Sequence, residues 1–206
     1  KNAGKAVNSA QSEFGAFYVG SDMYYSSIAS NVEIKLGPDG KSTDTKQEQY
    51  AKVYKSAKKG ANWGKGTALN DGVNLTGTNN VHSALSADGK TLYFSRCKLE
   101  ANKSMCDVYT STMKGGKWSP ASKIEGGSNS DEFSSKQPAV GEINGREAIF
   151  FASNMSGGTG GFDIYYAVKQ DGAKFSTPVN VGPSVNTFAD DQTPFYKANT
   201  LYFSSE

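Results

Sequence analysis

One phrase recurs along this chain, and it constrains the fold more than any single residue does. From Asn80 to Arg96 the sequence runs NVHSALSADGKTLYFSR: an alternating stretch, an Asp88-Gly89 turn, and a second stretch ending in an aromatic pair and serine. Asp-Gly between two alternating runs is a strong hairpin signal, because both residues accept the positive φ that a tight turn requires. The phrase returns in altered form from Phe14 to Ser27 (ending MYYSS), from Lys136 to Ser153 (ending IFFAS) and from Thr193 to Ser205 (ending LYFSS). Internal repetition of this kind decides the architecture before any motif does.

The residues between the phrases repeat as well. Asp107-Val-Tyr109 lines up with Asp163-Ile-Tyr165, and Gly116-Lys-Trp118-Ser-Pro120 with the Gly172 to Pro178 segment. Trp118 and Phe175 stand as far apart as Tyr93 and Phe150, so two landmarks move by one period. The second unit therefore reads as strands over 81–85, 91–95, 106–113 and a short edge strand opening at Lys117. The third reads as strands over 137–140, 147–153, 162–168 and 175–178. Proline in the last strand of each suits an edge. In the first unit strands are expected over 14–19, 23–26, 51–55 and 63–69. The stretch 45–58 also has helical spacing at Tyr50, Val53 and Tyr54, but the repeat register favours a strand. An insertion over 28–49 lengthens this unit.

The expectation is an all-β fold, a β-propeller of four-stranded antiparallel blades with three complete units and a partial fourth. The units fall at 12–78, 79–130, 131–187 and 188–206 of a single domain covering 1–206. A four-stranded blade cannot bury both faces alone, so blades pack against one another around an axis. The fourth unit offers only two strands, and its other two are expected from sequence following Glu206. Completion of the ring by residues 1–11, or an open fragment, are the alternatives.

Composition agrees with short strands and tight turns: 23 glycines against 6 prolines, and 12% aromatic residues. Net charge is +2, and Arg96 and Arg146 are the only arginines among 22 basic residues. That is poorly suited to bidentate reading of base edges, and no nucleic-acid partner is expected. Lys52, Lys55, Lys58 and Lys59 read as a solvated face rather than an anion patch. No apolar stretch approaches a membrane span. The chain opens at Lys1 without a leader, which leaves the compartment to other arguments.

Cys97 and Cys106 supply one. They close the neck of a predicted hairpin, where a disulfide is geometrically reasonable and suits an exported protein. Two unpaired thiols in a cytosolic protein are the alternative, and without a neighbouring histidine they do not make a zinc site.

Candidate chemistry is sparse. His82 is the only histidine, and no serine lies in a nucleophile-elbow setting, so a structural use is expected. Gly157-Gly158-Thr159-Gly160-Gly161 looks like a phosphate loop, but a strand follows it instead of a helix, so a tight loop with positive φ is expected. Asp107 and Asp163 recur at one point of the repeat and read as turn-binding caps; calcium is disfavoured because no D-x-D-x-D-G run occurs. The acid pairs Asp131-Glu132 and Asp190-Asp191 are taken as equivalent loop positions. With Phe133 and Phe188 they are the candidate partner-facing residues. No catalytic residue, cofactor or metal ligand is assigned.

The phrases SALSADGKTLYFS, ASNMSGGTGGFDIYYA, KFSTPVNVGPSVNT and DDQTPFYKANTLYFSS resemble the TolB-like propeller repeats of exported Bacteroidetes proteins that also carry an OmpA-like domain. The resemblance is strongest from Val81 to Ser205. It implies a non-enzymatic protein-protein scaffold in the periplasm, part of an outer-membrane complex such as that of type IX secretion. Peptidoglycan would be held only by a domain outside this chain. The competing expectation is a carbohydrate-binding or glycan-hydrolysing propeller using the acidic loops at Asp131 and Asp190, since glycosidic hydrolysis needs paired carboxylates. An acid-lined pocket favours the second reading, and an apolar loop patch the first.

Overall fold

The computed structural model describes residues 2–28, 38–39, 50–100 and 103–206. Among the described residues, sixteen strands form four antiparallel sheets. In the first, β1 (Glu13–Val19), β2 (Asp22–Ser27) and β3 (Lys52–Lys59) form a meander, and β4 (Asn62–Trp63) and β5 (Thr67–Ala68) both pair with β3. The second contains β6 (Asn79–Leu85), β7 (Thr91–Glu100) and β8 (Lys103–Lys114), with β9 (Lys117–Trp118) and β10 (Ser122–Lys123) on β8. The third runs β11 (Ser135–Ile143), β12 (Arg146–Ser153), β13 (Asp163–Val168), β14 (Val179–Asn180). The fourth is the pair β15 (Asp191–Lys197) and β16 (Thr200–Ser205). The expected insertion over 28–49 lies largely outside the described residues.

The aromatic phrase explains how the sheets associate. Strand side chains alternate between faces, so adjacent aromatics in one phrase serve opposite interfaces. Phe94 joins Tyr24, Val53 and Trp118 between the first and second sheets. Its neighbour Tyr93 joins Val108, Phe151, Tyr165 and Phe175 between the second and third. Phe151 thus faces backward along the chain, while Phe150 stacks on Tyr196 of the fourth sheet at 5.2 Å. Burial on both faces is why β2 and β12 are buried almost without alternation. The result is an all-β, propeller-like arrangement of sheets packed face to face.

Two devices repeat from sheet to sheet, the first in all four and the second in the first three. The first strand always carries a bulge, at Phe14/Phe17, Val81/Ala84, Lys136/Ala139 and Gln192/Phe195. Within it one residue has positive φ: Gly15 (61°), His82 (49°), Gln137 (59°) and Thr193 (52°). The bulge frees a backbone N–H to reach the preceding sheet: that of His82 donates to Ser26 Oγ at 2.9 Å, and that of Gln137 to Ser95 Oγ at 2.7 Å.

The second device compensates for very short fourth strands. Asn74 Oδ1 accepts the N–H of Val53, and its Nδ2 donates to the carbonyls of Val53 and Leu69. Asn129 does the same with Val108 and Ile124, and Asn186 with Ile164. A side-chain amide thus stands in for a strand residue, and the third strand keeps its buried donors satisfied.

The structure corrects the expected strand over 175–178. Phe175 makes only an isolated bridge with Lys169, and the paired strand is Val179–Asn180. The glycine loop joins β12 to β13 and has the expected positive φ at Gly157, at 90°, but not at its other glycines. Gly158 and Gly160 are required by space, because a Cβ would meet the Asp163 carboxylate at 2.0 Å and the Ala189 carbonyl at 2.1 Å. The loop cradles a carboxylate of its own chain, since Thr159 and Gly160 N–H groups donate to Asp163.

Candidate functional site

Where the repeat is broken, the structure has a charged cleft. Register equates Glu13, Asn80, Ser135 and Asp191, which lie opposite Ser27, Arg96, Ser153 and Ser205. Three of these four partners are serines; the second sheet alone places arginine there. Ser27 donates to Glu13 and Ser135 bonds Ser153, both at 2.9 Å. Arg96 instead donates from Nε to Asn80 Oδ1 at 2.8 Å and from Nη2 to the Val73 carbonyl at 2.9 Å. Its guanidinium lies over the rings of Tyr109 (4.3 Å) and Phe94 (5.4 Å).

Arg96 is only 7% exposed, and burial pulls its guanidinium below the ordinary arginine value. A buried charge is tolerated when its donors are used and aromatic faces surround it. That fixes the head group beside a cavity of about 100 Å³, which Arg96 lines together with Lys98, Asp107, Tyr109, Lys123 and Asp131. Lys123 Nζ meets Asp107 Oδ2 at 2.8 Å, and this bond raises the lysine above its usual value. The other oxygen, Asp107 Oδ1, is buried without a partner. Asp107 lies directly across from Arg96 in the β7–β8 ladder, and the next pair along is Cys97 and Cys106. The two sulfurs are bonded, so a covalent link between strands stands beside the cleft. Cys106 N–H also donates to Ser134 Oγ at 3.0 Å, which ties that wall to the loop before β11.

Of the residues expected to face partners, Asp131 is exposed at this cleft. Glu132 is exposed with its N–H on Ser130 Oγ, and Phe133 is half-buried. Phe188 is 92% exposed. Asp190 accepts from Phe162 N–H and from Gln192 Nε2. Asp191 is fully buried and accepts from the Thr187 N–H and hydroxyl. The two acid pairs are not equivalent: Asp190–Asp191 corresponds to Ser134–Ser135, not to Asp131–Glu132. Asp190 and Asp191 therefore brace a loop, whereas Asp131 faces solvent. Arg96 and Lys123 were not among the expected site residues. The arginine's departure from serine in the repeat was the available signal.

His82 stands apart from the cleft. Phe14 packs on its ring at 5.1 Å, and burial, with Lys136 nearby, lowers its pKa to about 4. A wider depression of about 360 Å³ lies along β5, lined by Lys55, Lys59, Lys65 and Leu69. Among the described residues no cluster of three or more histidine, cysteine or acidic side chains is placed to hold a metal.

The fold is similar to that of a protein of known structure. A thermostable family-43 glycoside hydrolase superposes with a TM-score of 0.53 at 11% identity, over 87% of this chain and 59% of that one. NanB sialidase from Streptococcus pneumoniae gives 0.46 at 11% identity, over 89% of this chain and 26% of the enzyme. This chain thus spans about three fifths of the glycoside hydrolase. No family model and no curated protein matches the sequence.

These findings overturn the resemblance to TolB-like, OmpA-associated proteins: no model of such a family matches, and the fold superposes on that of a family-43 glycoside hydrolase. The non-enzymatic type IX secretion scaffold rested on that resemblance and is withdrawn with it. The repeated aromatic phrase encodes sheet packing, which unrelated propeller-like proteins also need.

Proposed function

We propose that this chain is a carbohydrate-directed β-propeller segment that binds glycan at the Arg96 cleft. Its sheets are blades, three with a full set of strands and a fourth represented by two, within one domain. The observation that carries the reading is the cleft itself: two lysines, two carboxylates and a tyrosine converge around a fixed guanidinium that stands where the other sheets place serine. Carboxylates and cations at fixed positions are the groups that orient hydroxyls and acidic substituents of a sugar. The fold shared with a glycoside hydrolase supports the same class of ligand without specifying a reaction.

Mixed charge favours sugars bearing both hydroxyls and a carboxylate or sulfate. Arg96, Lys98 and Lys123 would hold the anionic group, while Asp131 accepts from hydroxyls at the rim. Should the domain hydrolyse its ligand, Asp107 and Asp131 are the two carboxylates lining the cleft from which an acid and a base would have to be drawn. The Cys97–Cys106 link supports an oxidising compartment.

Calorimetry with neutral and acidic oligosaccharides, together with an assay for released reducing ends, tests this. Binding of an acidic oligosaccharide, weakened about tenfold in Lys98→Ala (roughly 1.4 kcal/mol) and also weakened in Asp131→Asn, is the expected result. Absence of binding and of hydrolysis across the panel would contradict it.

A further inference from the structure

Among the described residues β16 pairs only with β15, and the repeat specifies what its other edge lacks. In each of the first three sheets the aromatic phrase is paired on its outer side by a third strand, always in the same register. Tyr25 lies opposite Tyr54, Phe94 opposite Tyr109, and Phe151 opposite Tyr165. All three pairs stack, with ring centroids at 5.6, 6.0 and 6.3 Å. The next residue of the phrase is equally regular: Ser26, Ser95 and Ala152 lie opposite Val53, Val108 and Ile164, each fully buried.

The fourth sheet has the same phrase and, among the described residues, no third strand. Phe203 answers to Tyr25, Phe94 and Phe151, and Ser204 to Ser26, Ser95 and Ala152. Tyr25, Phe94 and Phe151 are 3%, 0% and 0% exposed, whereas Phe203 is 38% and its neighbour Tyr202 56% exposed. An aromatic pair left open beside unpaired backbone groups is a template for strand addition.

The neighbouring sheet is prepared for the same strand. Leu69, Ile124 and Val181 hold one position, each donating its N–H to a third-strand carbonyl. Leu69 packs in the same cluster as Tyr109, and Ile124 in the same cluster as Tyr165. Val181 is the third member of that series and is half-buried, packed in a cluster with Tyr196 of β15. The third-strand tyrosine that would complete its cover is the one the fourth sheet lacks among the described residues.

We propose that β16 is an acceptor edge for an antiparallel strand bearing a (Val/Ile)-Tyr pair, with the aliphatic residue opposite Ser204 and the tyrosine opposite Phe203. The tyrosine ring stacks on Phe203 and covers Val181. The strand is recognised by backbone pairing, and the Tyr and Val/Ile positions set register, because a slip of one residue would turn the tyrosine to the other face. This goes beyond the glycan reading and does not depend on it.

A soluble peptide carrying the β13 sequence Asp163–Val168 with short polar flanks is the probe, added to the whole chain and followed by fluorescence anisotropy and amide hydrogen exchange. Saturable binding with new protection in β16 is expected. Of the peptide's two tyrosines, replacing the one equivalent to Tyr165 by alanine weakens binding about tenfold, and Phe203→Ala in the protein weakens the parent peptide by a similar factor. Phe203 lies on a two-stranded exposed sheet, and circular dichroism verifies that the variant keeps its fold. No binding, binding unaffected by both changes, or protection appearing at another edge would overturn the proposal. So would edge-to-edge dimers of the chain that exclude the peptide, since β16 lacks the Val/Ile-Tyr pair.

Discussion

The hydroxyl of Ser95 accepts the backbone N–H of Gln137 at 2.7 Å, so one serine of the second sheet holds the bulge of the third. Ser26 does the same for His82. At the third joint the equivalent residue is Ala152, which cannot accept, and the Gln137 side chain takes over by accepting the Thr193 N–H at 3.0 Å. Gln137 thus receives one latch and supplies the next.

Ser95→Ala leaves a half-buried N–H without its partner and is expected to cost about 1–3 kcal/mol in urea unfolding. Ser204 occupies the same place in the exposed fourth sheet, and its alanine variant should stay within about 0.5 kcal/mol of the parent. Equal effects at the two serines would show that the latch between sheets contributes nothing.

Asn129→Ala removes three hydrogen bonds to Val108 and Ile124 and strands a third-strand donor. The expected loss is about 2 kcal/mol or more. Asn129→Asp should not restore it, because the carboxylate has no donor for the two carbonyls. Thermal melts of the three proteins decide this.

His82 gives a pH dependence whose sign is fixed by its depressed folded pKa, about 4 against 6.5 for the free side chain. Between these values the unfolded chain binds the proton and the folded chain does not. Its stability contribution is complete above about pH 6.5, falls as pH drops toward 4, and is gone below that, a loss on the order of 3 kcal/mol. Asparagine at this position would accept the same positive φ without titrating, so His82→Asn should flatten this part of the stability profile. An unchanged slope contradicts the assignment.

Reduction of the Cys97–Cys106 bond should lower stability by about 2–3 kcal/mol, the model-dependent value for closing so short a loop. It should also loosen the wall beside Arg96 and weaken ligand binding there. Intact mass before and after reduction, showing a gain of two hydrogens, verifies the bond; no mass change on reduction contradicts it.

The sequence carried the sheets because aromatic pairs such as Tyr93-Phe94 and Phe150-Phe151 are local signals repeated in register. Asn74, Asn129 and Asn186 follow the same period, yet asparagine among glycines reads as a turn residue, and its bonds to a strand over twenty residues earlier are invisible locally. Positive φ at His82, Gln137 and Thr193 has no signature in non-glycine residues. Asp190–Asp191 was misaligned for a related reason: two acids in a loop look alike until strand pairing assigns Asp191 to the position of Ser135. Arg96 was legible only as a departure from serine, and its meaning came from Tyr109, Asp107 and Lys123 converging through the fold.

The most direct test of the glycan reading is amide chemical-shift mapping of the whole chain titrated with an acidic oligosaccharide. Saturable shifts centred on Arg96, Lys98, Tyr109, Lys123 and Asp131, absent with a neutral sugar of equal length, are the predicted result. Shifts located elsewhere, or none at all, would contradict it.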